Sequence, residues 1–271
     1  MKLLRVVLFS ISFIFIAASS YADISVHFLD VGQADAALIV ADGEAMLIDG
    51  GNRDDSSFLY VYLKKHKIKN LKYIIGTHAH EDHIGGLPGA LTFATAQKTF
   101  SPALKHNTKI FATFLRYGNA NGGGVEIPKI PSEVKLGSAT IKFIAPVKQY
   151  DNANNTSIVV KIIYGKKAFL FTGDIERDAE LDIIKSGAKL KADVLKTAHH
   201  GSATSTSYVF LREVMPKYAV ISVGKNNKYG HPSEAVLSRF RDAGAKVLRT
   251  DELGTIIIES DGKNLTIKEG K

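Results

Sequence analysis

The chain has 271 residues, of which 45% are hydrophobic and 23% are charged, so it can bury a substantial core, and a single domain is the default expectation. It contains no cysteine, which excludes disulfides and thiolate ligands and leaves His, Asp and Glu to hold any metal ion. The formal net charge of +8 is compatible with an anionic substrate but does not identify one.

The first 22 residues have the pattern of a signal peptide. Lys2 and Arg5 precede an apolar run over 6–18, and the segment ends in small residues at the usual cleavage spacing. The alternative is an uncleaved membrane anchor, but this run is shorter than the roughly 20 residues that a spanning helix needs. We therefore predict cleavage before Asp23.

The predicted mature domain, 23–271, keeps 33 basic and 27 acidic residues, a net charge of about +6. We expect an exported protein, periplasmic or extracellular, without a stable membrane anchor after cleavage.

Short strand-like segments punctuated by glycines open the domain. The predicted strands of the first half are 24–29, 36–40, 45–48 and 71–76, with a helix over 57–66. The last of these strands leads directly into a cluster of histidines. Residues 84–116 favour helix, and the Gly- and Asn-rich stretch 117–124 predicts a surface loop.

The second half repeats this arrangement without a sequence repeat. The predicted strands are 140–144, 157–164, 167–171, 194–197, 218–223, 246–249 and 255–259, with helices near 177–186 and 233–243. The hydroxyl-rich stretch 202–207 is expected to cap another helix that begins near Tyr208. Two β-rich halves with helices predict an α/β fold of stacked sheets covered by helices on both outer faces.

The segment 78–83 packs three imidazoles and a carboxylate into six positions after a predicted strand. His78 and His80 project to one side, whereas Asp82 and His83 turn toward a second point. This arrangement suits two adjacent divalent metal ions, zinc or manganese, with nitrogen and oxygen ligands. The alternative is a set of solvated loop histidines, which is disfavoured because such close groups oppose one another's protonation unless a cation offsets them.

This cluster, His78-x-His80-x-Asp82-His83, resembles the signature of the metallo-β-lactamase superfamily, and two other motifs extend the resemblance. Leu47 to Gly51 lies where that superfamily has its first Asp motif, and Phe169 to Asp174 resembles its strand-end Thr-Gly-Asp. The resemblance implies a four-layer αββα sandwich. It also implies that Asp174 bridges both metals and that Asp49 fixes the metal-binding loop or a ligand histidine.

Further segments are similar to the soluble metallo-β-lactamase-like domain of ComEC-type DNA-uptake (competence) proteins. They are 28–35, 154–157, 195–202 and 230–232, and the resemblance covers Ile24 to about Ile267. Where many superfamily members have a histidine, this chain has Asn154 and Asn155, as its closer relatives do. An amide oxygen is a poorer metal ligand than imidazole, so we expect a weaker first site, with Asn155 as the candidate ligand.

The remaining histidines complete the predicted site. His231 fits the superfamily's last His motif and would join Asp82, His83 and Asp174 in the second site, the alternative being an ordinary turn residue. At least one of His199 and His200 should face the cavity, as a ligand or as an acid that protonates a leaving group. Strand alternation sends neighbours to opposite sides, so the sequence does not decide which of the two points inward. We favour His199 and keep His200 as a candidate.

Two further loops carry polar residues. Gln33 and Asp35 either line the cavity or serve turn geometry after the first strand. Lys225, Lys228 and Tyr229 either contact a phosphodiester backbone or belong to a surface loop without a function.

Two metal ions can bind a bridging hydroxide and stabilise the charge that develops at the reacting centre, with Asp82 orienting the hydroxide. The leading hypothesis is a secreted phosphodiesterase or nuclease acting on DNA or a related ester. One alternative is hydrolysis of a small ester, lactone or amide, because fold does not fix substrate. The other is a binding module with a vestigial metal site.

Overall fold

A computed structural model describes residues 23–270, and the predicted signal peptide lies outside the described residues. Fifteen strands form two sheets within this range. In chain order they are β1 Ile24–Phe28, β2 Ala36–Ala41, β3 Glu44–Gly50, β4 Asn70–Ile75, β5 Thr95–Phe100, β6 Val125–Glu126, β7 Ser132–Leu136, β8 Ala139–Ala145, β9 Val159–Tyr164, β10 Lys167–Phe171, β11 Val194–Lys196, β12 Tyr218–Ile221, β13 Lys246–Arg249, β14 Thr255–Ser260 and β15 Leu265–Gly270.

The strands divide into an eight-stranded sheet, ordered β15-β14-β1-β2-β3-β4-β5-β6, and a seven-stranded sheet, ordered β13-β12-β11-β10-β9-β8-β7. The helices are α1 Ser56–Lys65, α2 Glu81–Ile84, α3 Leu87–Phe93, α4 Lys109–Asn121, α5 Arg177–Lys185, α6 Tyr208–Val214, α7 Glu234–Asp242 and α8 Thr250–Leu253. Helices α1 to α7 connect strands within one sheet, whereas α8 lies between β13 of the seven-stranded sheet and β14 of the eight-stranded sheet. Among the described residues, no helix is both long and apolar enough to cross a membrane.

Three apolar clusters separate four layers. The central cluster lies between the sheets, where Phe28 of one sheet stacks on Phe171 of the other with ring centroids 5.5 Å apart. A second cluster joins the first sheet to α1, α3 and α4, and a third joins the second sheet to α5, α6 and α7. The predicted four-layer αββα sandwich is therefore confirmed.

The stretch between the histidine cluster and residue 124 differs from the sequence prediction. Residues 95–100, predicted to favour helix, form β5 in parallel register with β4. The predicted loop 117–124 is helical as far as Asn121, where α4 ends. Gly118 belongs to the buried face of this helix, and a Cβ there would lie 2.5 Å from the Val125 side chain. The glycine thus permits close packing of α4 on β6 instead of breaking the helix.

Strand ends place the polar residues at one edge of the sandwich. The segment 78–83 follows β4, Asp174 follows β10, and His199 and His200 follow β11. Ligand sites in α/β sheets commonly lie outside the carboxyl ends of strands, where the connecting loops converge. The two sheets thus bring these loops together at one edge.

Candidate metal centre

Four side chains form a compact group that we call the tetrad: Asp82, His83, Asp174 and His200. Each offers a ligand atom, and these atoms all lie within 4.8 Å of one another. His83 Nε2 lies 3.3 Å from Asp174 Oδ2, and His200 Nε2 lies 3.2 Å from Asp82 Oδ2. Imidazole nitrogen and carboxylate oxygen at such separations are suitable ligands for zinc or manganese.

The tetrad concentrates opposite charges in a buried space. Burial opposes the charged form of Asp174, yet nearby His83 and His200 hold the pKa of this carboxyl well below its usual range. Burial also opposes the charged form of His200, but Asp174 and Asp35 raise the pKa of this imidazole to about 10. The charges of these four groups depend on one another, and a divalent cation at the tetrad would stabilise both carboxylates.

Two unpartnered atoms of the tetrad indicate whether a metal ion fits between its side chains. His83 Nε2 and Asp174 Oδ1 are buried and have no hydrogen-bond partner among the described residues. Unpaired buried polar atoms are unfavourable, and a cation between the two residues would satisfy both of them. The donor set therefore fits a divalent metal ion.

His83 is held in a ligand-ready orientation by Asp49. The two residues contact through His83 Nδ1 and Asp49 Oδ2, 2.8 Å apart, so the imidazole donates and keeps Nε2 toward the cavity. Thr77 donates to the same carboxylate from its backbone N–H and its hydroxyl, each at 2.7 Å. The structure thus places Asp49 behind the candidate ligand His83, and Thr77, which the sequence analysis missed, holds the same carboxylate.

His200 has a similar support. Its Nδ1 lies 3.0 Å from the carbonyl oxygen of Ser222 and 3.2 Å from Asp35 Oδ1. Asp35 in turn forms a buried ion pair with Lys196, at 2.7 Å. A lysine inside a strand covered on both faces was a readable signal for a buried carboxylate partner, but the sequence analysis did not use it.

The remaining candidate ligands form an outer set: His78, His80, Asn154, His199 and His231. His78 Nε2 lies 2.9 Å from His80 Nδ1 and 3.9 Å from Asp174 Oδ2. Burial and the nearby His83 charge hold the pKa of His78 well below its ordinary value. A neutral imidazole is the form that binds a metal ion, so His78 is suited to that role.

The two asparagines separate into different environments. The side-chain oxygen of Asn155 accepts a 2.8 Å hydrogen bond from the backbone N–H of Glu176. Asn154 lines the cavity, and its side-chain oxygen is buried without a hydrogen-bond partner among the described residues. Asn154, and not Asn155 as the sequence predicted, is therefore the asparagine that lines the cavity, whereas Asn155 Oδ1 contacts the Glu176 backbone.

His199 and His200 both line the cavity, which corrects the alternation argument. The strand β11 ends at Lys196, and both histidines adopt left-handed backbone angles, with φ of 50° and 52°. In this turn the rings do not alternate as they would in a strand. His200 joins the tetrad, whereas His199 lies closer to the cavity entrance, 24% exposed and 3.4 Å from Glu176 Oε1.

His231 lies outside the tetrad. It lines the same cavity, but its ring packs 5.8 Å from that of His199 and stacks against Tyr229. His200 occupies the place beside Asp82, His83 and Asp174 that the sequence analysis gave to His231. His231 thus lines the cavity beside His199 without belonging to the tetrad.

The cavity above the tetrad has a volume of about 350 Å³. Every residue that lines it carries a polar group, and four of them, His80, Asn154, His199 and His231, belong to the outer set. The lining residues are Gln33, His80, Glu81, Asp82, Asn154, Asp174, His199, His200, Tyr229 and His231.

Comparison with known proteins gives consistent matches. The family model described as "Metallo-beta-lactamase superfamily" matches residues 29–225. The chain is 30% identical over 263 residues to "ComE operon protein 3" of Bacillus subtilis (strain 168), covering 90% of this chain and 34% of that protein. It is 43% identical over 117 residues to "Competence protein ComA" of Neisseria gonorrhoeae, covering 42% of this chain and 17% of that protein. The chain thus spans about a third or less of the length of these relatives.

Solved structures with the same fold include the metallo-beta-lactamase fold protein YhfI from Bacillus subtilis, with a TM-score of 0.57 and 16% identity over 92% of this chain and 100% of that one. Another is Tm1679, described as a metal-dependent hydrolase of the beta-lactamase superfamily, with a TM-score of 0.53 and 14% identity over 83% of this chain and 95% of that one. The structural matches support the fold, and the sequence matches confirm the resemblance to competence proteins.

Proposed function

Because the chain belongs to the metallo-beta-lactamase superfamily, we propose that it is an exported phosphodiesterase or nuclease acting on DNA or a related phosphodiester. The observation that carries the proposal is the polar cavity above the tetrad. A deep apolar pocket would favour a small ester, lactone or amide, but the described residues that line this cavity include no aliphatic side chain.

The relatives support a substrate that is a nucleic acid. Two of them are named as proteins of the ComE operon and of competence, and a third, 29% identical over 250 residues, is "Recombination protein 2" of Haemophilus influenzae. Competence and recombination both act on DNA. The basic balance of the chain is compatible with a polyanion, although charge alone does not select one.

Two divalent ions, zinc or manganese, would occupy the centre. The tetrad would hold one ion, and His78 and His80 would hold the other together with Asp174, which is shared. When bound, such ions supply Lewis acidity, which lowers the pKa of water and neutralises charge that develops on phosphoryl oxygens. Asn154 would add an amide oxygen to the His78 and His80 side, so that side has the weaker ligands.

The protein's own groups complete the chemistry. Asp82 faces the cavity, and its carboxylate would accept a hydrogen bond from the attacking water and orient it. His199, on the cavity wall beside Glu176, would donate a proton to the leaving oxygen. His200 is held from behind by Ser222 and keeps Nε2 directed at Asp82. No side chain acts as the nucleophile.

Export is part of the proposal and rests on the N-terminal sequence alone. Expression of the full chain, followed by fractionation and mass measurement of the N-terminus, tests it. We expect a periplasmic or extracellular protein that begins at Asp23. A protein that keeps its first 22 residues in the membrane fraction would contradict cleavage.

A hydrolysis assay tests the activity. The mature protein, loaded with Mn²⁺ or Zn²⁺, is incubated with single-stranded DNA and with bis-p-nitrophenyl phosphate. We expect metal-dependent cleavage that Asp174→Ala abolishes and that Asp178→Ala, at an exposed carboxylate on α5, leaves unchanged. Absence of cleavage by fully metal-loaded protein would refute the proposed function.

A further inference from the structure

An exposed tyrosine stands at the mouth of the metal cavity. Tyr229, between β12 and α7, is 60% exposed. Its ring lines both the 350 Å³ cavity and an adjoining cavity of about 540 Å³. The two cavities also share Gln33, Glu81 and Asp82, so they form one continuous groove that begins at the tetrad and passes Tyr229.

The loop that carries Tyr229 is fixed by Asn227. The side-chain oxygen of Asn227 accepts hydrogen bonds from the backbone N–H groups of Tyr229 and His231, each at 3.1 Å. Its amide nitrogen donates to the carbonyl oxygens of Gly224 at 3.0 Å and His231 at 2.6 Å. Gln33 accepts from the Gly224 N–H at 3.0 Å, which ties the loop to the opposite sheet. Such a preorganised loop presents the ring at little entropic cost.

The surroundings of the ring suit an aromatic ligand that carries phosphate. The ring stacks on His231, with centroids 5.7 Å apart and planes 26° apart. Lys228 Nζ lies 5.2 Å from the ring centroid, and both Lys228 and Lys225 are exposed on the same loop. Aromatic side chains bind unpaired bases by stacking, while nearby lysines contact the backbone phosphates.

We propose that Tyr229 is a stacking platform for an unpaired nucleobase next to the phosphodiester that the metal centre cleaves, with Lys228 contacting the adjacent phosphate. The stacking platform rests on the proposed function and narrows its substrate class. It assigns a single-stranded substrate, because a base in a duplex does not expose the face that stacks on a side chain.

Binding to short single-stranded oligonucleotides tests the platform separately from catalysis. The metal-loaded protein is titrated by fluorescence anisotropy with two phosphorothioate oligonucleotides that resist cleavage, one with all bases and one with abasic sites. We expect the complete oligonucleotide to bind about tenfold or more tightly than the abasic one. Tyr229→Ala should lose this preference and leave affinity for the abasic strand unchanged, whereas Tyr229→Phe should keep it.

Tyr208→Ala provides the matched control, because Tyr208 is also exposed, at 49%, but lies outside the groove. The proposal is overturned if Tyr229→Ala binds both strands as the unaltered protein does, if it weakens both equally, or if Tyr229→Phe loses as much as Tyr229→Ala. Base-dependent binding without cleavage of ordinary DNA would refute the proposed function and leave the platform standing. Cleavage of ordinary DNA by a protein that binds the complete and the abasic strands equally would overturn the platform and leave the proposed function standing.

Discussion

The tetrad and the outer set differ in what holds their imidazoles. In the tetrad, His83 contacts Asp49 and His200 contacts the Ser222 carbonyl, so each ring has a fixed acceptor on Nδ1. In the outer set, His78 and His80 contact each other, and His80 is exposed. Acceptors behind a ligand histidine fix its orientation and increase its basicity. We therefore expect the tetrad to be organised for a metal ion before binding, and the His78 and His80 rings to rearrange on binding.

Removing the buried lysine below the tetrad should have the largest effect on the protein. Lys196→Met removes the lysine from the buried Asp35 carboxylate and leaves it only the His200 ring, and we expect a loss of about 3–5 kcal/mol in the free energy of unfolding. Denaturant unfolding of the metal-free protein measures it.

The exposed pair of Lys142 and Glu133, 3.3 Å apart, supplies the control. Lys142→Met should cost less than about 1 kcal/mol, because water screens this pair. Equal losses for both lysine variants would mean that the tetrad has no special support.

The second largest effect is expected from changing Asp49, which accepts the hydrogen bond from His83 Nδ1. Asp49→Asn weakens the support of a tetrad ligand, and we expect a fall of about 10- to 100-fold in affinity for the tightly bound metal ion. Competition with a chelator of known affinity measures the change. Asp178→Asn, at an exposed carboxylate, should leave the affinity unaltered. An unchanged affinity in Asp49→Asn would remove the basis for distinguishing the tetrad from the outer set.

The smallest expected effect is a gain in metal affinity at the outer set. Asn154→Asp adds a carboxylate where the structure has an unpartnered amide oxygen, and we expect affinity for the weakly bound ion to rise about tenfold. Asn155→Asp keeps the oxygen that accepts from Glu176 and should have little effect on metal binding. The same competition assay compares the two variants. A rise in Asn155→Asp alone would show that the wrong asparagine has been assigned to the cavity.

The sequence predicted the sandwich and the places of the main candidate ligands. Apolar strands that end in polar motifs predicted the positions of His83 and Asp174, because the residues that follow a buried strand emerge at the edge of its sheet. The resemblance to the superfamily's first Asp motif also implied that Asp49 supports the histidine loop, and the structure places it against His83. These features depend on local pattern and on the common order of strands and loops.

The sequence predictions that differ from the structure concern side-chain orientation and pairing, which have a different physical origin. The orientations of His199 and His200 depend on a left-handed turn, and the choice between Asn154 and Asn155 depends on one hydrogen bond to the Glu176 backbone. The support of Asp35 by Lys196 joins segments that are far apart in the chain. Lys196 inside a buried strand indicates a carboxylate partner, but tertiary packing decides which carboxylate it is, as it decides the turn at His199 and His200 and the hydrogen bond of Asn155.

Calorimetric titration of the metal-free protein with Mn²⁺ tests the distinction between the tetrad and the outer set most directly. We predict two binding events of different affinity, with the tight event lost in His83→Ala and only the weak event lost in His80→Ala. Two events of equal affinity, or loss of the tight event in His80→Ala, would contradict that distinction.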